Sequence, residues 1–130
     1  MKARPFLWMI IGASLLIHSG CALLLIGGGA AAGAGTVAYV KGELRSTQEI
    51  PFERTWNATT EAMKELEFAI TQKEKDALSG LIVARGTDDQ KIVIHLEKQS
   101  EDLTEIRIRV GSFGDESRSQ LILDKIKAKA

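Results

Sequence analysis

From Tyr39 to Lys127 the chain is a succession of short stretches in which apolar residues either alternate with polar ones or recur at helical spacing. Each change of period marks an element. Tyr39–Gln48 mixes apolar and polar residues as a strand does. Pro51 suits a helix start, and Phe52, Trp56, Thr59, Met63 and Leu66 then draw one apolar stripe down a predicted helix. Phe68–Lys75 and Gly80–Arg85 are β-rich runs. Lys91–Lys98 alternates with Ile92, Ile94 and Leu96 on one face. Leu103–Val110 alternates again, with Ile106, Ile108 and Val110 opposed to Glu105, Arg107 and Arg109. Asp88-Asp89 and Glu101-Asp102 fall between these runs as turns.

Gly111-Ser112-Phe113-Gly114 ends the last strand and forms a strand-to-helix corner, with Phe113 expected to tuck back onto the sheet. Asp115 is placed to cap a closing helix whose apolar side is Leu121, Ile122, Leu123 and Ile126. Lys125, Lys127 and Lys129 lie near its negative end. The predicted order is β-α-β-β-β-β-α. Consecutive strands joined by short polar turns make an antiparallel meander, whose apolar face must be covered. The expectation is an α+β domain over residues 41–130: a single antiparallel sheet with both helices on one face. The other face would carry His95, Glu97, Glu105, Arg107 and Arg109.

The chain's start has a different pattern. Lys2 and Arg4 precede an apolar run, Phe6–Ile17, followed by His18-Ser19-Gly20-Cys21. A basic start, an apolar core and small residues before a cut are the layout of a secretory signal peptide. A cysteine directly after two small residues gives it the form of a lipoprotein signal. Residues 1–20 would be the leader, with cleavage between Gly20 and Cys21 and lipidation of the Cys21 thiol. Cys21 is the one cysteine of the chain, so no intramolecular disulfide exists. His18 replaces the apolar residue usual at that point of the motif.

Residues 21–40 form a second uncharged stretch, in which Gly27, Gly28, Gly29, Gly33 and Gly35 mix with alanines. Gly28/Ala32 and Gly29/Gly33 are spaced four apart, which in a membrane lets helix backbones approach closely. A membrane-associated helix, an apolar tether, or one half of an uncleaved two-pass anchor with Phe6–Ile17 all fit this composition.

Charge narrows the function classes. The 17 basic and 17 acidic residues of the whole chain balance. Loss of Lys2 and Arg4 with the leader would leave the remainder mildly acidic, which argues against nucleic-acid binding. His95 is the one histidine after the leader, so a histidine-rich metal site has no ligands and no cofactor is expected beyond the covalent lipid on Cys21. No serine, cysteine or histidine spacing marks a nucleophilic triad. His95 reads as a solvated cross-strand neighbour of Glu105 or Arg107. The expectation is a protein that is not an enzyme.

Four segments also carry a resemblance. Tyr39–Leu44 (YVKGEL), Trp56–Thr59 (WNAT), Lys73–Gly80 (KEKDALSG) and Arg109–Glu116 (RVGSFGDE) together resemble an uncharacterised family of short lipoproteins of Gram-negative bacteria. The resemblance implies a lipidated envelope protein and supplies no catalytic residues. Ala22 after the cysteine agrees with outer-membrane sorting by the enterobacterial rule. The expected role is a periplasm-facing, membrane-anchored module that binds an envelope protein or component. The alternative is a structural protein that self-associates through the Gly27–Gly35 stripe.

Overall fold

A computed structural model of the chain describes residues 35–130, which belong to one unit, Gly33–Ala130. Among the described residues eight elements follow one another: β1 (Val37–Val40), β2 (Glu43–Gln48), α1 (Phe52–Glu65), β3 (Ala69–Lys75), β4 (Ser79–Arg85), β5 (Lys91–Lys98), β6 (Thr104–Val110) and α2 (Glu116–Lys129). The strands form one six-stranded sheet in the order β1-β2-β6-β5-β4-β3, every pairing antiparallel. The α+β class, the single antiparallel sheet and the two helices agree with the periodicity. Tyr39–Gln48, expected as one strand, is a hairpin. Lys41 and Gly42 both take positive φ, 52° and 80°, and form its two-residue turn. Two left-handed residues in succession twist in the sense of the flanking strands.

Alternation fixes the two faces of the sheet. Ile92, Ile94 and Leu96 of β5 stand opposite Val110, Ile108 and Ile106 of β6. All six are at most 1 % exposed. Leu44, Ile82 and Ala84 extend this layer into β2 and β4. Helix α1 packs Phe52, Trp56, Ala58, Ala62 and Met63 onto it, and α2 adds Ile122, Leu123 and Ile126. Burying one such aliphatic side chain stabilises a fold by roughly 1.5–3 kcal/mol. Leu121, expected on the apolar side of α2, is 53 % exposed, because helical rotation puts it on the face away from Ser119, Ile122, Leu123 and Ile126.

Local signals set the helix ends. The Asp115 carboxylate accepts a hydrogen bond from the Arg118 N–H at 3.0 Å and caps α2. Helix α1 ends with Glu67 at φ 59°, the Phe68 N–H bonded to Met63 O and the Glu67 N–H bonded to Lys64 O. That is a Schellman closure with glutamate in the left-handed place usually held by glycine. The β3 edge exposes Gln72, Lys73, Glu74 and Lys75 and carries a bulge between Ile70 and Gln72, devices that discourage further pairing.

Candidate functional site

Among the described residues both helices lie on one side of the sheet, and no described element covers the other. It presents Leu81 and Val83 from β4, Val93, His95 and Glu97 from β5, and Glu105, Arg107 and Arg109 from β6. His95 lies directly opposite Arg107 on one side and Leu81 on the other. Glu97 lies directly opposite Glu105, an arrangement that costs stability unless a cation intervenes. Arg107 intervenes. Its Nη2 is 3.3 Å from Glu97 Oε2 and its Nε is 3.8 Å from Glu105 Oε1. Arg45 similarly pairs with Glu43 at 2.9 Å. This middle of the face is therefore a lattice of paired charge, two arginines against three carboxylates.

A hollow of about 400 Å³ lies where β3, β4 and β5 meet, lined by Glu74, Asp76, Leu81, His95, Glu97 and Arg107. Asp76 shapes its rim. Its carboxylate accepts the backbone N–H groups of Leu78 and Ser79, each at 2.8 Å, and the Ser79 hydroxyl at 3.0 Å. These bonds hold its pKa below the ordinary aspartate value, the Leu78 N–H contributing most. A second hollow of about 590 Å³ opens at the opposite end of the face, with Arg85, Lys91, Val93, Arg109 and Phe113 among its lining.

The loop at that second end is built on a glycine–glycine contact. Gly114, at φ 83°, sits so close to Gly42 that a Cβ on it would lie 2.5 Å from both the Gly42 Cα and the Tyr39 hydroxyl. Arg109 Nη2 donates to the Lys41 carbonyl at 3.0 Å and ties the β1–β2 turn to β6. Phe113 does not tuck back onto the sheet; it is 95 % exposed. The positive φ of Gly111 and Gly114 on either side of it turns the loop outward.

The four segments quoted for the family resemblance thus meet in pairs. YVKGEL and RVGSFGDE join at Gly42 and Gly114. WNAT and KEKDALSG join where the Trp56 ring covers Gly80, whose added Cβ would lie 2.6 Å from the ring. Lys73 and Lys75 stand over the same ring at 6.0 and 5.7 Å. Close packing accounts for Gly42, Gly114, Trp56 and Gly80.

Ion pairs outside the face give the fold a defined acid response. The Glu65 carboxyl is held below its ordinary pKa by hydrogen bonds from Lys129 and then Lys125, and Asp88 by one from Arg118. With Asp76, these are three carboxyls whose folded-state pKa is depressed. Their contribution is present above the ordinary carboxylate range and is lost as pH falls through the depressed values. The urea midpoint is expected to fall between neutral pH and a pH below about 4. An unchanged midpoint would show that these pairs contribute nothing. Lys129 has the complementary shift: Glu65 raises its pKa, so its contribution is complete below the ordinary lysine value and is lost as pH rises through the raised one.

The residues proposed for anchoring, Gly20, Cys21, Gly28, Gly29, Ala32 and Gly33, lie outside the described residues. Among the described residues, no group of three or more His, Cys, Asp or Glu side chains is placed to hold a metal ion, and no helix is long and apolar enough to cross a membrane. Arg85, Lys91 and the exposure of Phe113 escaped the sequence. Alternation places Arg85 and Lys91 on the open face, but only the register of the β4–β5 hairpin sets them opposite each other. No curated protein matches the chain. Residues 5–129 match the family described as "Protein of unknown function (DUF3568)". A match over nearly the whole length makes this chain a member of that family.

Proposed function

We propose that this is a lipid-anchored protein of the bacterial cell envelope, held through Cys21, facing the periplasm and acting as a non-enzymatic binding module through the open face of its sheet. The observation that carries the binding role is the sidedness of the fold. Both helices cover one face, while the other keeps half-buried apolar residues, Leu81 and Val93, beside a preorganised lattice of charge. Fixed charges on rigid strands lose little entropy when a partner docks. Their mutual pairing suits recognition more than proton transfer. The anchor rests on the leader and on Cys21 in the sequence, and outer-membrane placement rests on Ala22.

A photo-crosslinking residue at position 95, on the open face, tests the binding role in cells. The expected result is a discrete adduct that is absent when the same group is placed at Gln120 on α2. Equal labelling at both positions, or none at position 95, would contradict it.

A further inference from the structure

The charges of the open face are not evenly settled. Arg45 and Arg107 pair with carboxylates there, and Arg118 pairs with Asp88 at 2.6 Å just beside it. Among the described residues Arg85, Lys91 and Arg109 form no ion pair with a carboxylate, and all three line the hollow of about 590 Å³. Arg85 and Lys91 are directly paired across β4 and β5, and Lys91 stands opposite Gly111, whose N–H bonds to the Lys91 carbonyl at 2.8 Å. Directly opposed side chains have Cβ atoms about 4.5–5.5 Å apart, and the diagonal from Lys91 to Arg109 is about 7–8 Å. Three cations from three strands therefore surround one small space.

The two guanidinium groups are oriented by bonds that leave their positive charge unneutralised. Arg85 Nη1 donates to the Asp89 carbonyl at 3.0 Å, and Arg109 Nη2 to the Lys41 carbonyl. Both partners are neutral backbone oxygens. Asp88 is committed to Arg118, and Asp89 is the one carboxylate-bearing residue in the lining. Val93 contributes an apolar surface to the hollow, and Phe113 stands at its edge almost fully exposed on a loop locked by Gly42 and Gly114.

We propose that this hollow is a binding site for a phosphate group, with Arg85, Lys91 and Arg109 as its ligands and Phe113 as an apolar rim. Two guanidinium forks and an ammonium exceed what one carboxylate would neutralise. They suit a tetrahedral group that spreads its charge over several oxygens. The phosphate could be borne by a lipid headgroup, whose chains would lie along Phe113, or be free in the periplasm. The site rests on the proposal that the open face is the binding face, and it names the chemistry that face recognises.

The test uses the protein as purified from membranes, isotope-labelled and reconstituted in phosphatidylcholine nanodiscs, with NMR of the Lys91, Gly111 and Ser112 amides and the Arg85 and Arg109 Nε–H groups. Titrated inorganic phosphate is expected to give saturable shifts at these groups. Arg85→Glu with Lys91→Glu should weaken the affinity at least tenfold. Lys91→Gln, which keeps the backbone bond to Gly111, should weaken it severalfold in a protein with an unchanged spectrum elsewhere. In discs containing phosphatidylglycerol, the same shifts without added phosphate, lost in Phe113→Ser, identify a lipid headgroup. Shifts from inorganic phosphate alone identify the free ion, and either source supports the site. Shifts that rise without saturating in both kinds of disc, or that saturate equally in the charge-reversed variant, overturn it. Loss of the position-95 adduct with phosphate binding intact would instead defeat the wider binding reading and leave the site standing.

Discussion

Gly114→Ala is expected to destabilise the domain by about 3 kcal/mol or more, the combined cost of a left-handed non-glycine residue and of overpacking. Gly114 has φ 83°, and its added Cβ would press on the Gly42 backbone and the Tyr39 hydroxyl. Neither neighbour has a flexible end to move, because one is main chain in a two-residue turn and the other is the rigid tip of an aromatic ring. Gly111→Ala separates the two costs. Gly111 also has positive φ, 71°, but its Cβ would meet only the Gln90 side chain, at 3.4 Å or more. That variant should lose about 1–2 kcal/mol, the backbone cost alone. Urea denaturation of both gives the comparison. Equal losses would mean that the contact between the two loops is not tight in solution.

The second large effect belongs to Trp56. It is 7 % exposed, covers Gly80 and sits under Lys73 and Lys75. Trp56→Ala is expected to cost about 3–5 kcal/mol, as for other large-to-small changes of a buried aromatic residue. The diagnostic measurement is a double-mutant cycle with Gly80→Ala. A methyl at position 80 meets the ring at 2.6–2.7 Å, so in the native background it should cost about 1–3 kcal/mol by overpacking. With Trp56→Leu in place the obstruction is removed, and Gly80→Ala should be close to neutral. Additive losses would show that Gly80 is required for a reason other than the tryptophan.

These two junctions also show what was legible in the chain. Ile92, Ile94 and Leu96 against Ile106, Ile108 and Val110 is a period-two pattern that a one-sided sheet requires, and the Phe52-to-Leu66 stripe is a helical one. Both survive in the structure because burial enforces them. The β1–β2 turn was less legible because Lys41 takes the left-handed place where asparagine or glycine is usual. Phe113 points outward although hydrophobicity says that a phenylalanine gains from burial. Its outward position is set by the backbone conformation of the flanking glycines and by the close contact of Gly114 with Gly42. The cluster of Arg85, Lys91 and Arg109 needs the pairing register across three strands, and register is a tertiary property that alternation alone leaves open.

The proposed anchoring through Cys21 gives the open face its setting in the envelope. Intact mass spectrometry of the protein purified from membranes tests it most directly. The expected mass is that of residues 21–130 carrying a diacylglyceryl group on the cysteine thiol and an acyl chain on the new N-terminus. A mass equal to the unprocessed chain, from Met1 to Ala130, would contradict lipid anchoring at Cys21.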